Sequence, residues 1–244
     1  MRLARRLAAG PTLALALLFW AAPARADESD LCLAAAQDAA RLSGVPLSVL
    51  LAITLTETGR GDGDGGAVRP WPWTINMEGE GHWFATREEA LAFAQERHAA
   101  GATSFDVGCF QVNWRWHHEN FTDIGQMLDP LANASYAAGF LKRLGAEMGA
   151  EMGSEMGDWS EAAGAYHSRT PEKATRYRAT FDGHREAARA AGADDGRLAG
   201  AFAPTDARLA AADPAPGAPR VNDFPLLRAT GASPRLGSLV PIDG

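Results

Sequence analysis

Apolar positions recur every three to four residues along most of the central part of the chain, which is the spacing of amphipathic helices. Gly44 follows the first of these stretches as a stop signal, and Pro46 stands where the first turn of the next helix tolerates proline. Thr86 and Glu89 have the spacing of a capping box. The helices predicted from these signals span about Ser29–Leu42, Leu47–Thr58, Thr86–Ala100, Leu131–Leu144 and Trp159–Tyr166.

The segments between these helices have a different composition. Gly59–Gly66 is rich in glycine and is predicted to be a flexible loop. Arg69–Phe84 combines prolines, glycines and alternating aromatics, which favours a loop with a short hairpin. Glu-Met-Gly occurs three times within Glu147–Gly157, where we expect a lengthened helix end or a loop. The predicted fold class is therefore mostly α, a helical domain with a small β-hairpin insertion.

The two ends of the chain differ from this central domain. Residues 1–26 contain arginines, a short apolar run and a small-x-small site, so we interpret them as a cleavable secretory signal peptide. The apolar run is too short to span a bilayer, and no transmembrane anchor is predicted. Residues 193–244 hold seven of the 14 prolines and neither Tyr nor Trp, which predicts a disordered tail. Residues 27–192 remain as one domain.

Charge and cysteine content narrow the class of function. Without the signal peptide the chain has 19 basic and 30 acidic residues, a formal charge of −11, which disfavours nucleic-acid binding. The histidines and cysteines, including His117-His118, lack metal-ligand spacing, so no metal or other cofactor is predicted. In an exported chain Cys32 and Cys109 favour a disulfide, and two buried thiols are the alternative.

Glu57 is the strongest candidate for a catalytic residue in the sequence. It follows Leu50 by seven residues and Ile53 by four, so it lies on the inward face of the second predicted helix, in its last turn. Burial and the negative end of the helix dipole both favour the protonated carboxyl. A carboxyl that is protonated near neutral pH can donate to the leaving oxygen of a glycosidic bond. The alternative is a glutamate that reaches solvent at a frayed helix end.

A wider set of motifs surrounds Glu57. They are Leu50–Gly59, Gly108–Asn113, Asp129-Pro130 with Asn133 and Tyr136, Ala165-Tyr166, and Pro171 with Tyr177. In order and type these motifs resemble the soluble lytic transglycosylase domain, over about Leu31–Tyr177. The resemblance implies a lysozyme-like fold, an enzyme that cleaves the glycan strands of bacterial peptidoglycan, and Glu57 as the catalytic residue.

The chain departs from this family at several motifs. Thr58 stands where the family usually has Ser, and Cys109-Phe110 replaces Leu-Met. His167 replaces the Asn that follows the motif tyrosine, so the role of that Asn does not carry over directly. About fifty residues separate the catalytic Glu from the next motif, which is more than is usual. The aromatic-rich insertion and the Tyr-His-Ser variant look most like the branch dedicated to flagellar assembly.

Aromatic and amide side chains suit a sugar-binding groove. Five of the seven tryptophans lie between Trp71 and Trp116, and aromatic faces pack on the apolar faces of sugar rings. Amides bond hydroxyl and N-acetyl groups. The predicted substrate-binding residues are Trp71, Trp73, Asn76, Gln111, Asn113 and Tyr166. A tryptophan-rich core is the alternative for some of the tryptophans.

The resemblance also implies a reaction. Glu57 would protonate the oxygen between N-acetylmuramic acid and N-acetylglucosamine while the substrate's acetamido group stabilises the cationic centre. Glu57 would then take the proton of the muramoyl C6 hydroxyl, which closes on C1 and leaves a 1,6-anhydro end. Tyr166 would orient Glu57 or the acetamido group.

Two rival functions fit the same residues. A lysozyme-type muramidase would need a second carboxylate to activate water, and Glu78, Glu80 and Asp106 are the candidates. The position that holds Asp in goose-type lysozymes is the neutral Asn113 here. The other rival is a non-catalytic peptidoglycan-binding scaffold, against which the retention of Glu57 argues.

The predicted tail contains two short apolar runs, Phe224–Leu227 and Leu236–Ile242. Such runs in a disordered segment order on binding another protein, although unselected apolar residues or a loose extra strand would look the same. With the flagellar resemblance, the expected partner is a rod or rod-scaffold protein and the expected location is the periplasm.

Overall fold

The structure, a computed structural model, describes residues 27–61, 67–151 and 158–198. The predicted signal peptide, most of the predicted tail, the centre of the glycine-rich loop and part of the Glu-Met-Gly repeat lie outside these residues. The helices are α1 (Ser29–Ser43), α2 (Leu47–Thr58), α3 (Arg87–Ala99), α4 (Trp114–His117), α5 (Ile124–Leu128), α6 (Pro130–Glu151), α7 (Trp159–His167) and α8 (Pro171–Ala190). The strands are β1 (Thr74–Met77), β2 (Glu80–Trp83), β3 (Phe105–Val107) and β4 (Val112–Asn113). The described fold is mostly α with a small antiparallel sheet, as predicted.

Helix α2 forms part of the core and spans the residues predicted for it. Pro46 precedes it with an extended backbone, and every α2 residue except Leu55 is buried. The hydroxyls of Thr56 and Thr58 donate to helix carbonyls one turn earlier, so these polar groups are satisfied inside the core. Because α2 packs against both α1 and α8, its last turn is held from two sides.

The four strands form one antiparallel sheet in the order β2-β1-β3-β4. The predicted hairpin is confirmed as β1 and β2, joined by a two-residue turn at Glu78-Gly79 in which both residues have positive φ. The short strands β3 and β4 were not predicted. They add a second hairpin whose turn contains the Gly108–Gln111 motif, and this turn lies next to α2.

A disulfide joins Cys32 on α1 to Cys109 in the turn between β3 and β4, which confirms the predicted bond. Both cysteines are buried in the same core cluster as the apolar residues of α2. The disulfide closes a loop with a sequence separation of 77 residues. The disulfide therefore holds the turn between β3 and β4 against α1.

Several sequence boundaries differ from those predicted. Helix α6 extends to Glu151 and includes the first Glu-Met-Gly copy, and α8 was not predicted. The first residues of the predicted tail, 193–198, belong to the described fold. Ala193 is buried, and the Asp194 carboxylate accepts hydrogen bonds from the backbone nitrogen and the hydroxyl of Ser48 at 2.9 and 2.6 Å. Asp194 thus caps the start of α2, so the folded domain extends beyond Gly192.

In residues 27–61, 67–151 and 158–198, we find no helix that combines the length and apolar character needed to cross a membrane.

Candidate active site

Glu57 lies in the last turn of α2 and is 8% exposed. Desolvation by burial is the largest influence on its pKa, and the nearby charge of Asp106 acts in the same direction. A hydrogen bond from Tyr177 opposes them. Together they raise the pKa of Glu57 from its ordinary value of 4.5 to about 8, so the carboxyl is protonated at neutral pH. The side chain does not reach solvent as a frayed helix end would allow.

Tyr177 on α8 is the direct partner of this carboxyl. Its hydroxyl donates to Glu57 Oε1 at 2.8 Å, and the whole side chain is buried. The imidazole of His167 stacks on the Tyr177 ring, with 4.6 Å between ring centroids and 10° between planes. Burial lowers the pKa of His167 to about 4, so the stacked ring is neutral at neutral pH. His167 therefore supports the tyrosine that binds Glu57.

Tyr166 was predicted to orient Glu57 or the acetamido group of the substrate, and in the structure its hydroxyl has a backbone partner in place of Glu57. Tyr166 donates to the backbone carbonyl of Phe110 at 2.7 Å. Its ring is fully buried between the helices and the turn that contains Phe110. A sequence signal for Tyr177 does exist, because Tyr177, Phe181 and Ala188 are buried at helical spacing on α8.

The turn at Gly108–Gln111 is held by hydrogen bonds from α2 and α6, in addition to the bond from Tyr166 on α7. Asn133 on α6 accepts from the Phe110 nitrogen at 2.8 Å and donates to the Val107 carbonyl at 3.0 Å. Thr54 on α2 donates to the Cys109 carbonyl at 2.9 Å. Gly108 has a φ of 77°, and a Cβ there would lie 3.3 Å from the Asn133 amide, so this position requires glycine.

Gln111 completes this turn in a left-handed backbone conformation, with a φ of 46°. A non-glycine residue rarely adopts this conformation, which costs about 1–3 kcal/mol and persists only where the surrounding structure enforces it. The Gln111 amide donates to the carbonyls of Gly108 and Thr74 at 2.9 and 3.2 Å. Gln111 thus joins the turn to β1, and its predicted contact with substrate stays a prediction.

Three polar side chains form a row on one face of the sheet. Asn76, Asp106 and Asn113 are paired across β1, β3 and β4, so their side chains share a face. Asn113 Nδ2 donates to Asp106 Oδ1 at 2.8 Å, and both residues are buried. Asn76 Oδ1 accepts from the Gly79 nitrogen in the hairpin turn. The row therefore brings Asp106, the carboxylate that raises the pKa of Glu57, into the candidate site.

The other two candidates for a second carboxylate lie apart from this row. Glu80 is paired with Met77, which places it on the opposite face of the sheet from Asp106. Glu78 and Glu80 line a cleft of about 530 Å³ between the β1–β2 hairpin and the end of α3. Of the three carboxylates, Asp106 is the one that the fold brings close to Glu57.

Trp71 and Trp73, which were predicted to line the sugar-binding groove, differ in how deeply they are buried. Trp73 is 2% exposed and its indole nitrogen donates to Glu28, so it belongs to the core. Trp71 is half-buried, and the Arg60 guanidinium lies 4.5 Å from its ring centroid. The backbone nitrogen of Trp71 donates to the Thr58 hydroxyl at 3.3 Å. Trp71 therefore lies at the end of α2, directly beside the residue that follows Glu57.

Five of the six histidines, all of them in the described part of the chain, contact another aromatic ring. The Tyr136 hydroxyl and His117 Nδ1 are hydrogen-bonded at 2.7 Å, and burial lowers the pKa of His117 to about 4. His82 packs against Phe93, with 4.6 Å between centroids. Within the ranges that the structure describes, no group of three or more His, Cys, Asp or Glu side chains could hold a metal ion.

Comparisons with protein-family models, with curated proteins and with solved structures find no match for this chain. The chemistry of the site follows from its geometry alone. It contains a buried carboxyl protonated at neutral pH, a tyrosine that binds it, and a second buried carboxylate nearby. Such a site can donate a proton to a leaving oxygen and take a proton back afterwards.

Proposed function

We propose that this protein is a peptidoglycan lytic transglycosylase in which Glu57 acts first as general acid and then as general base. The observation that carries the proposal is the pKa of Glu57, raised to about 8 by burial at the end of α2. A general acid works best when its pKa is near the working pH. The order of family motifs around Glu57 supports the same reaction.

The first step is protonation of the glycosidic oxygen between N-acetylmuramic acid and N-acetylglucosamine. Glu57 gives its proton to this oxygen as the C1–O bond breaks. The acetamido group of the muramoyl residue stabilises the positive charge at C1. The leaving N-acetylglucosamine keeps the proton as its 4-hydroxyl.

The second step uses Glu57 as a carboxylate. The muramoyl C6 hydroxyl attacks C1, and its proton returns to Glu57, so the product has a 1,6-anhydro end and no water is consumed. Tyr177 supports this step because its hydrogen bond is strongest when Glu57 is ionised. The same bond points Oε1 in a fixed direction for both proton transfers.

Trp71 and the sheet provide the surface along which the glycan would bind. The half-buried indole of Trp71 presents an aromatic face beside the end of α2. The Asn113 carbonyl oxygen is buried and has no hydrogen-bond partner among the described residues. Trp73 is left out of this surface because it is part of the core.

The competing function is hydrolysis by a lysozyme-type muramidase, and one observation favours it. Asp106 is close enough to Glu57 for its charge to raise the Glu57 pKa. An inverting hydrolase uses a second carboxylate to take a proton from water. The two reactions differ in their products, because hydrolysis leaves a reducing end.

We also propose that the protein acts in the periplasm, where its glycan cleavage opens the wall for the flagellar rod. The disulfide is consistent with an oxidising compartment. The proposed contacts with rod or rod-scaffold proteins involve Phe224–Leu227 and Leu236–Ile242, which lie outside the described residues.

Replacement of the acid tests the proposed function. Glu57→Gln removes proton transfer and keeps the size and hydrogen-bonding capacity of the side chain, so clearing of purified sacculi should fall by 10²–10⁴-fold. Glu96→Gln makes the same chemical change on an exposed side chain of α3 and serves as the matched control. Retention of more than about a tenth of the activity in Glu57→Gln would rule out this assignment.

A further inference from the structure

Two buried side chains near Glu57 are bonded to each other. Asp106 and Asn113 are direct partners on β3 and β4, and Asn113 Nδ2 donates to Asp106 Oδ1 at 2.8 Å. The orientation of the amide follows from chemistry, because an ionised carboxylate only accepts hydrogen bonds. Asp106 is 2% exposed and Asn113 is 1% exposed. Both partners of this hydrogen bond are therefore buried in the substrate-free protein.

Asp106 also has the position that a hydrolase would require. Its strand β3 leads into the turn whose Cys109 carbonyl accepts a hydrogen bond from Thr54, one turn before Glu57 on α2, and its charge helps to raise the pKa of Glu57. In an inverting hydrolase one carboxyl protonates the leaving oxygen while a second carboxylate takes a proton from the attacking water. The fold thus contains both carboxyl groups, and Asp106 accepts a hydrogen bond from Asn113.

We propose that Asn113 sets the product of the reaction by binding Asp106, so that the muramoyl C6 hydroxyl, and not water, attacks C1. This inference depends on the proposed function. A charge-assisted hydrogen bond occupies a lone pair of the carboxylate and stabilises its ionised form, so Asp106 becomes a weaker base. Glu57 then receives the proton of the C6 hydroxyl, as the lytic reaction requires.

Loss of the Asn113 amide opens the hydrolytic route. Asp106 would then take a proton from a water molecule whose oxygen forms the new bond to C1. The C1–O bond to N-acetylglucosamine breaks, and its oxygen receives the proton of Glu57. The released muramoyl end is a reducing end, and the proton on Asp106 returns to Glu57 through solvent.

The test compares the ends released from purified sacculi by the mature full-length chain and three variants. They are Asn113→Ala, Asp106→Asn and the double variant. Borohydride reduces reducing ends and leaves 1,6-anhydro ends unchanged, so mass spectrometry counts both. Asn113→Ala should raise the share of reducing ends at least about tenfold over wild type. Loss of one hydrogen bond to a charged group changes an equilibrium by about this factor. The double variant and Asp106→Asn should release 1,6-anhydro ends.

Each of the other outcomes counts against the inference. If wild type releases 1,6-anhydro ends and Asn113→Ala releases them in the same proportion, Asn113 does not set the product, although the proposed function stands. Reducing ends from the double variant would show that Asp106 is not the base. Loss of all cleavage in folded Asp106→Asn would show that Asp106 is essential to the lytic reaction itself. Wild-type release of reducing ends alone would overturn both proposals.

Folding of the variants is checked independently. Asp106→Asn has nearly the same shape as the native side chain, so its products show whether Asp106 is essential to the lytic reaction even if Asn113→Ala is unstable. Asn113→Ser is a second variant that shortens the side chain and withdraws the donor from Asp106. It should shift the products in the same direction as Asn113→Ala, and an unchanged product ratio in both would overturn the inference.

Discussion

The hydroxyl of Tyr177 donates a hydrogen bond to Glu57 Oε1 at 2.8 Å, between residues 120 positions apart in the chain. The two side chains are on α8 and α2, which pack against each other in the core. This bond lowers the pKa of Glu57, while burial raises it more strongly. The balance gives Glu57 a pKa of about 8, which is suited to a group that both gives and takes a proton.

Replacement of Tyr177 by Phe should change the pH dependence of cleavage. Without the hydroxyl, the pKa of Glu57 rises further, so the alkaline fall in kcat/KM should move to higher pH than its wild-type position near 8. The maximal rate should fall about tenfold or more, because a hydrogen bond to a charged group is worth about 1.5–3 kcal/mol. The ring and its stacking on His167 are retained in this variant.

Tyr166→Phe is the matched comparison for Tyr177→Phe. It removes a hydroxyl that binds the Phe110 carbonyl, and the bond between Tyr177 and Glu57 remains. We expect Tyr166→Phe to have a lower free energy of unfolding than wild type. The alkaline fall in its kcat/KM should occur at the same pH as in wild type. A shift in Tyr166→Phe without one in Tyr177→Phe would assign the orienting role to Tyr166, as the sequence predicted.

Burial of Glu57 should make folding stability depend on pH. Its pKa is about 8 in the folded state and 4.5 in the unfolded chain, so between these values the folded state binds more protons. The free energy of unfolding contributed by Glu57 therefore falls as pH rises from 4.5 to 8. Glu57→Gln removes this dependence, and at pH 8 it should be more stable than wild type by up to about 4 kcal/mol.

Urea unfolding of wild type and Glu57→Gln at pH 5 and pH 8 measures this effect. The difference between the two proteins isolates Glu57, because the other titrating groups are common to both. His167 is one such group: burial lowers its pKa to about 4, so its contribution to stability is lost as pH falls from 6.5 toward 4. If the two proteins differ in free energy of unfolding by the same amount at pH 5 and at pH 8, burial does not raise the pKa of Glu57.

The disulfide should contribute strongly to stability. Closing a loop with a sequence separation of 77 residues between Cys32 and Cys109 is worth about 4 kcal/mol in the chain-entropy model. Denatured, unreduced protein should show no reactive thiol from this pair, and reduction should lower the urea midpoint accordingly. Two reactive thiols before reduction would contradict the bond.

The end of the folded domain can be tested with two truncations. A chain that ends at Leu198 keeps the bonds from Ser48 to Asp194, whereas a chain that ends at Gly192 loses this cap on α2. The shorter chain should be less stable by about 0.5–2 kcal/mol, the usual value of a helix cap. The longer one should retain cleavage in vitro, since all site residues described above precede Leu198. Equal stability of the two truncations would show that Asp194 contributes nothing.

Local sequence signals were sufficient for much of the fold. Helix α2 was predicted with its observed bounds because Pro46 and the glycines after Thr58 mark its ends and because most residues between them are apolar. The β1–β2 hairpin and the disulfide were predicted from turn residues and from the expected export of the chain. The inward position of Glu57 follows from the same helical spacing.

Other features depend on contacts between distant segments. Trp73 is a core residue because its indole nitrogen reaches Glu28 near the start of α1, which no local pattern indicates. The pairing of Asp106 with Asn113 depends on the register of two strands too short to predict. The assignment of Tyr177 as the partner of Glu57 required the packing of α8 on α2.

The measurement that tests the central claim most directly is mass spectrometry of the muropeptides released from purified sacculi by wild type and by Glu57→Gln. The account predicts 1,6-anhydromuramoyl ends from the wild-type protein and almost no release by the variant, since one group performs both proton transfers. Wild-type products that carry only reducing ends, or comparable release by Glu57→Gln, would contradict it.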